Sequence, residues 1–386
     1  MSTEPIEIII DTDAGIDDAT AILGALRHPN ARVKALTVVD GNVDLPQAVK
    51  NCKTLIAVAG RPDIPIYSGA DGPLLRGITK KALWEGHGVD GFGGFTVSEE
   101  WANFQQLHLP GVTQIATQPE HAANAIISMV NEQPGKLSIV ALGPLTNLAI
   151  AISIDPTLLS KVKDVYIMGG CLFAKGNANR AAEFNIHSDP EAAHIVFTSS
   201  TLHSKPPSAP KISLFTWEMT LEHGFPWSLF DTLTSEPTNS LGALLKSCTK
   251  TAMELSRAQF ELLAGPGPTV EFVSRQELGE RREKGESKWD RGKRRVDQEY
   301  LYQVNAFIMP DLYAAVGLLE PDSVLSYKDW DVQIELHGGH TRGMTHMEWS
   351  GITTGVANAR VVLAMDKGIV EDFLLKTFKG KGSEQT

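Results

Sequence analysis

The chain has 386 residues, 42% of them hydrophobic and 21% charged, and a formal net charge of −11. That length buries a large core, in one big α/β domain or two smaller ones, and the composition is ordinary for a soluble globular protein. The acidic balance excludes a general nucleic-acid binder, which needs a basic face, but admits a small neutral substrate and a divalent cation. Cys52, Cys171 and Cys248 are widely spaced and form no CxxC pair, so neither a zinc knuckle nor a disulfide framework is expected. No apolar run approaches the roughly 20 residues of a membrane span. The first residues lack the basic and apolar regions of a secretory leader, so a cytoplasmic protein without membrane contact is expected.

In chain order, residues 6–10 form a β-branched apolar run that ends in Asp11 and reads as a buried parallel strand. Residues 17–27 follow with helical spacing, 33–39 make a second strand and 46–59 a second helix, completing a βαβ unit. Further strands are expected at 137–142, 164–168 and 211–215. Further helices are expected at 119–132, 145–153, 189–198, 241–264 and 311–319. This alternation predicts an α/β fold over residues 1–386: a single large domain with a mostly parallel central sheet flanked by helices. Residues 199–210 read as a Ser/Pro-rich loop. Residues 276–300, dense in alternating charge, read as a solvated helix or a mobile insertion. Residues 329–378 read as short strands, a turn and a closing helix, and 379–386 as a disordered tail. Ligands of such sheets bind at the carboxyl ends of the strands.

The densest chemistry lies where the first strand ends. Asp11-Thr12-Asp13-Ala14-Gly15-Ile16-Asp17-Asp18 puts four carboxylates in eight residues. A helix N-terminus favours acidic residues on its own account, which accounts for Asp17 or Asp18 alone. It does not account for all four, because crowded carboxylates repel one another unless a cation neutralises them. Oxygen ligands without nearby His or Cys point to Ca²⁺ or Mg²⁺ rather than zinc. Residues 177–185, from Asn177 through Glu183 to Asn185, offer donors and acceptors that suit the vicinal hydroxyls of a sugar. An Asn-rich loop of Asx turns is the alternative there. Gly143-Pro144-Leu145-Thr146-Asn147 turns from strand to helix at the same edge. Asp311, on its own, reads as a helix N-cap.

In this order the pieces resemble the nucleoside hydrolase family, the inosine–uridine preferring N-ribohydrolases, from Ile8 to about Phe378. The resemblance rests on the acidic motif at 11–19, on residues 176–193 with Ala182-Glu183-Phe184-Asn185, and on 143–147. It continues through His87-Gly88-Val89-Asp90-Gly91-Phe92-Gly93, Met168-Gly169-Gly170 and Thr341-Arg342-Gly343-Met344-Thr345. It implies a Rossmann-related sheet, a homodimer or homotetramer, and hydrolysis of ribonucleosides to ribose and base. It implies Ca²⁺ held by Asp13, Asp18 and Asp311 and by the backbone carbonyl of Leu142, with Asp13 also the general base. Asp17, Asn42 and Asn185 would hold the ribose 2′- and 3′-hydroxyls. Asn177 and Glu183 would hold the 5′-hydroxyl side, Met168 would pack near the sugar, and His87 would lie close to the base.

Two positions depart from the family pattern. Ala14 stands where proline is usual, with Gly15 expected to keep the turn. Pro310 stands where many members place a histidine that protonates the leaving base, or a tryptophan that stacks on it. Proline does neither, which leaves His87 and Trp84 as the candidates. Two other readings stay open. Asp-x-Asp after a first strand also occurs in aspartyl phosphatases of the haloacid dehalogenase type, where the first Asp is the nucleophile, although Asp17-Asp18 fits them badly. A ribonucleoside-binding protein on the same fold, without turnover, is the second.

Overall fold

The run Ile8-Ile9-Ile10 feeds two cores. Ile8 and Ile10 pack on one face of strand β1 (Ile6–Thr12) and Ile9 on the other, following the two-residue period of a strand. A strand buried on both sides must be apolar throughout rather than alternating, which is what these residues supply. The computed structural model describes residues 4–77, 85–109, 112–203, 210–235, 237, 239–264, 269–273, 289–290, 293–297, 306–350 and 356–379.

β1 is central in an eight-stranded sheet. Its parallel neighbours are β2 (Ala31–Val38), with β3 (Ile66–Ser68) beyond, and on the other side β4 (Leu137–Ala141), β5 (Val165–Met168) and β6 (Ile212–Phe215). After β6 comes β13 (Ala359–Met365), still parallel, and then β10 (Val324–Trp330), antiparallel at the edge. The chain runs outward from β1 to β3 and then returns to build outward again from β4. The crevice between β1 and β4 is therefore a topological switch point, where open parallel sheets bind ligands.

One face carries the helices Ile16–Arg27, Pro310–Leu319 and Lys367–Lys379. The other carries Ala122–Glu132, Thr146–Ile154 and the start of Pro190–His203. Helix Pro310–Leu319 lies against β5 and against Ile16–Arg27. Gly317 permits that approach: a Cβ there would sit 2.4 Å from the ring of Phe215, which is fully buried.

Several expectations need correction. Helix Pro190–His203 runs through the first part of the expected 199–210 loop, and residues 204–209 lie outside the described residues. In the charged stretch 276–300, the described residues are strands rather than a helix. β9 (Lys293–Asp297) pairs with β7 (Thr269–Val273) on one side and with β8 (Trp289–Asp290) on the other in a three-stranded sheet. Charge density alone does not set backbone period, and the β-branched run of β7 supplies a pairing partner. β3 and the helix Glu100–His108 are too short or too polar to stand out in the sequence. Within 329–378, β11 (Val332–Ile334) and β12 (Thr345–Met347) pair as a separate two-stranded ribbon. Lys379 ends the closing helix, and 380–386 lie outside the described residues.

Gly317→Ala should destabilise the protein by about 1–3 kcal/mol through overpacking on Phe215, despite the better helix propensity of alanine. Urea unfolding checks this, and a variant as stable as the parent would show that the packing can relax.

Candidate active site

The turn after β1 is organised by its own side chains. Thr12 Oγ1 donates to Asp18 Oδ1 and accepts the Ala14 N–H at 3.0 Å. Asp18 Oδ2 accepts the Gly15 N–H at 2.9 Å. These bonds set Asp13, Asp17 and Asp18 around the N-terminus of helix Ile16–Arg27, where the helix dipole favours negative charge. The residue in the left-handed region is Ala14, with φ +51°, whereas Gly15 has an ordinary φ of −80°. Gly15 serves the turn by its size: a Cβ there would meet Asn42 Nδ2 at 2.5 Å and the His87 ring at 2.9 Å. A proline at position 14, fixed near φ −65°, could not adopt this conformation.

Asp17, Asp18 and Asp311 each bring a carboxylate oxygen to within 4.8 Å of the others. Asp311 arrives on the first turn of helix Pro310–Leu319. Asp13 adjoins them. The Asn42 N–H donates to its Oδ2 at 2.6 Å and Asn42 Nδ2 to its Oδ1 at 3.2 Å. Burial, followed by the charges of neighbouring aspartates, holds Asp13 and Asp311 well above the usual carboxylate range and pushes Asp17 up to about 7. Asp17 Oδ1 is buried without a hydrogen-bond partner among the described residues. An all-oxygen, buried, mutually repelling donor set fits a hard divalent cation. Asp11 stands apart, bonded by Thr37 Oγ1 at 2.6 Å and Asn147 Nδ2 at 2.9 Å, and burial pushes it up to about 7.

Across the switch point, Asn185 Nδ2 donates to the carbonyls of Leu142 at 2.7 Å and Met168 at 3.2 Å, tying together the chain just after β4 and the end of β5. Glu183 accepts from Gly170 N–H at 2.8 Å and Asn185 N–H at 2.8 Å as the cap of a short helix, Phe184–Ser188. Burial pushes it up to about 7. Asn177 Oδ1 accepts the Phe184 N–H at 2.8 Å. The structure thus brings Asn185, Leu142, Met168 and Glu183 into one bonded group, and Asn177 is attached through Phe184.

His87 faces the acidic turn. Its Nδ1 accepts the Ile16 N–H at 3.4 Å and its Nε2 lies 4.0 Å from Asp17 Oδ1. Burial lowers its pKa to about 4, so the ring is neutral near pH 7, and the Ile16 bond assigns its proton to Nε2. Trp84 lies outside the described residues. Two residues that sequence reasoning did not single out secure the His87 loop. Asp90 accepts the N–H groups of Phe92, Gly94 and Thr96 at 3.0, 2.8 and 2.6 Å. Asn51 Nδ2 bridges the carbonyls of Ala14 and Asp90 at 2.9 and 2.8 Å. Asp90 lies within the family motif, whereas nothing marks Asn51 in the sequence.

Ala14→Gly should stabilise the protein by about 0.5–1 kcal/mol by relieving the left-handed alanine, net of the extra entropy of the unfolded glycine. The urea midpoint should rise at unchanged slope; a lower midpoint would refute strain at this turn. The raised carboxylates also fix a pH trend. Each binds its proton more tightly folded than unfolded, so their contribution to stability is full below the unfolded pKa near 4 and is lost as pH rises through about 7. In chelator, the melting temperature should therefore fall between about pH 4.5 and 7.5, with a loss on the order of several kcal/mol, and calcium should restore more at the upper end. A melting temperature that rises across that window in chelator would contradict this electrostatic picture.

The chain is 44% identical over 193 residues to uridine nucleosidase 1 of Arabidopsis thaliana, a stretch covering 50% of this chain and 53% of the relative. It is 39% identical over 199 residues to the inosine-uridine preferring nucleoside hydrolase of Crithidia fasciculata, covering 51% and 58% respectively. The chain thus spans a little over half the length of the curated relatives it matches. The solved structure of a plant nucleoside hydrolase superposes with a TM-score of 0.74 at 29% identity, covering 97% of this chain and 99% of that one. That of an inosine-guanosine nucleoside hydrolase gives 0.73 at 29%, covering 97% and 98%. The profile described as inosine-uridine preferring nucleoside hydrolase matches residues 8–372, and the chain belongs to that family.

Proposed function

We propose that this protein hydrolyses the N-glycosidic bond of ribonucleosides, releasing ribose and free base. The observation that carries the proposal is the buried convergence of Asp13, Asp17, Asp18 and Asp311 opposite Asn185 and Glu183 at the sheet's switch point. Calcium is the proposed ion, with Asp13, Asp18 and Asp311 and the Leu142 carbonyl as its ligands; the proximity of Asp17 to Asp18 and Asp311 makes Asp17 a further neighbour of that site. A bound calcium would offset the carboxylate repulsion, lower the pKa of a water and orient the ribose hydroxyls.

The chain's own residues do the rest. Asp13, fixed by both donors of Asn42, takes the proton of the attacking water. Asp17, Asn42 and Asn185 hold the 2′- and 3′-hydroxyls, Asn185 as an acceptor through Oδ1 because its Nδ2 hydrogens go to the Leu142 and Met168 carbonyls, and Asn177 and Glu183 read the 5′-hydroxyl. The acidic floor stabilises the positive charge that grows on the ribose in an oxocarbenium-like transition state. The neutral His87 ring contacts the base rather than delivering a full proton to it. Pro310, with no proton to give, leaves base departure to other groups. A phosphatase-type mechanism would need Asp11 as an exposed nucleophile, yet Asp11 is fully buried beneath Thr37 and Asn147.

Uridine and inosine are the substrates to test first, as those named for the relatives. Free base should appear with calcium and be abolished by chelator, and Asp13→Ala should lower kcat by about 100- to 10,000-fold. Tight ribonucleoside binding without release of base, at high enzyme concentration, would replace hydrolysis with a binding function. An Asp13→Ala variant as fast as the parent would remove Asp13 from the role of base.

A further inference from the structure

The segment that carries Asn177 and Glu183 is held from behind. It leaves β5 at Gly169 and returns at Glu183, and its outgoing leg folds around one carboxylate. Glu218, buried on the first turn of helix Trp217–Glu222, accepts three backbone N–H bonds from it. Its Oε2 accepts Leu172 N–H at 2.6 Å, and its Oε1 accepts Phe173 N–H at 2.9 Å and Lys175 N–H at 3.0 Å. Between them Ala174 takes a left-handed φ of +55°, a conformation that tends to persist only where surrounding bonds impose it. Thr345 fixes the start of the same leg, accepting Cys171 N–H at 2.8 Å and donating to the Cys171 carbonyl. Asn179 Nδ2 ties the far bend to the Arg342 carbonyl at 3.0 Å. Of these anchors, Glu218 is the one in which a single side chain organises three amides of one turn, and charge-assisted bonds of this kind are the strong ones.

We propose that Glu218 is a positioning residue for 5′-hydroxyl recognition: by folding residues 171–175 it sets where Asn177 and Glu183 stand against the sugar. The inference rests on the hydrolase reading for its substrate half, and on the backbone bonds alone for its structural half. Glu218 does not touch the reacting atoms, so its loss acts on the recognition of the 5′ end rather than on water activation.

The test compares uridine with 5′-deoxyuridine as substrates for the calcium-loaded parent, Glu218→Ala and Glu218→Gln, together with amide hydrogen exchange at Leu172, Phe173 and Lys175. In Glu218→Ala, KM for uridine should rise about 10-fold with kcat within about 3-fold, and the parental preference for uridine over 5′-deoxyuridine should fall about 10-fold. Exchange at the three amides should rise. Glu218→Gln keeps one carbonyl acceptor and should recover most of the preference and part of the protection. A Glu218→Ala variant with parental preference overturns the proposal, and so does one that loses turnover on both substrates equally. Unchanged exchange at the three amides overturns the structural half. A parent that releases uracil from neither substrate overturns the hydrolase reading, and with it the substrate half here, which separates the two failures.

Discussion

Several carboxylates are folded into a space that water barely reaches, and burial together with like charge raises Asp13 and Asp311 well above the usual carboxylate range. The energetic problem is self-made, because burial and like charge act in the same direction. Much of the neighbouring structure can be understood as its management. Thr12 and the Gly15 amide bond Asp18, both donors of Asn42 go to Asp13, and the helix that opens at Ile16 adds its dipole. Space is conceded as well: a Cβ on Gly41 would fall 2.0 Å from Asp13 Oδ2, so the chain can pass that close to the carboxylate only without a side chain. What remains uncompensated is the charge itself, and a cation is the simplest complement.

The parallel sheet makes this assembly possible. Residues far apart in sequence arrive together because every β-strand of the central run ends at the same edge. β1 delivers the acidic turn, the chain after β4 the Leu142 carbonyl, and β5 Met168 and the segment to Glu183. Asn185 then bonds across the ends of β4 and β5. The opposite wall is less rigidly given by the sheet. His87 depends on a loop that Asp90 folds and Asn51 moors to the Ala14 carbonyl.

Local signals carried much of this in the sequence. The isoleucine run, the strand-to-helix spacing and the acidic motif all act over a few residues, so β1, β4, β5 and the first turn are legible. Tertiary roles were less so. Asp311 alone reads as a helix cap, because its partners Asp17 and Asp18 lie far upstream. Asn147 reads as part of a turn, yet it bonds Asp11, Val38 and Ala70 on three other segments. Glu218 looks like any acidic residue in a first helical turn, and only the fold shows three amides pointing at it. In the stretch 276–300, composition gave no period at all, and the pairing of β7 with β9 depends on a partner that no local pattern announces.

Helix Pro310–Leu319 has a consequence for how the protein comes to be folded. Its Asp311 completes a cluster whose other members lie in the first βαβ unit, so the acidic pocket is closed by the largest loop closure of any of its contacts. During synthesis the early strands and their carboxylates emerge long before this helix does. Asp13, Asp17 and Asp18 already repel one another within the first turn, and docking of the helix adds the charge of Asp311 to theirs. Docking is thus a step at which protons enter the folding equilibrium, and on the proposed cation site a divalent ion would enter it there too.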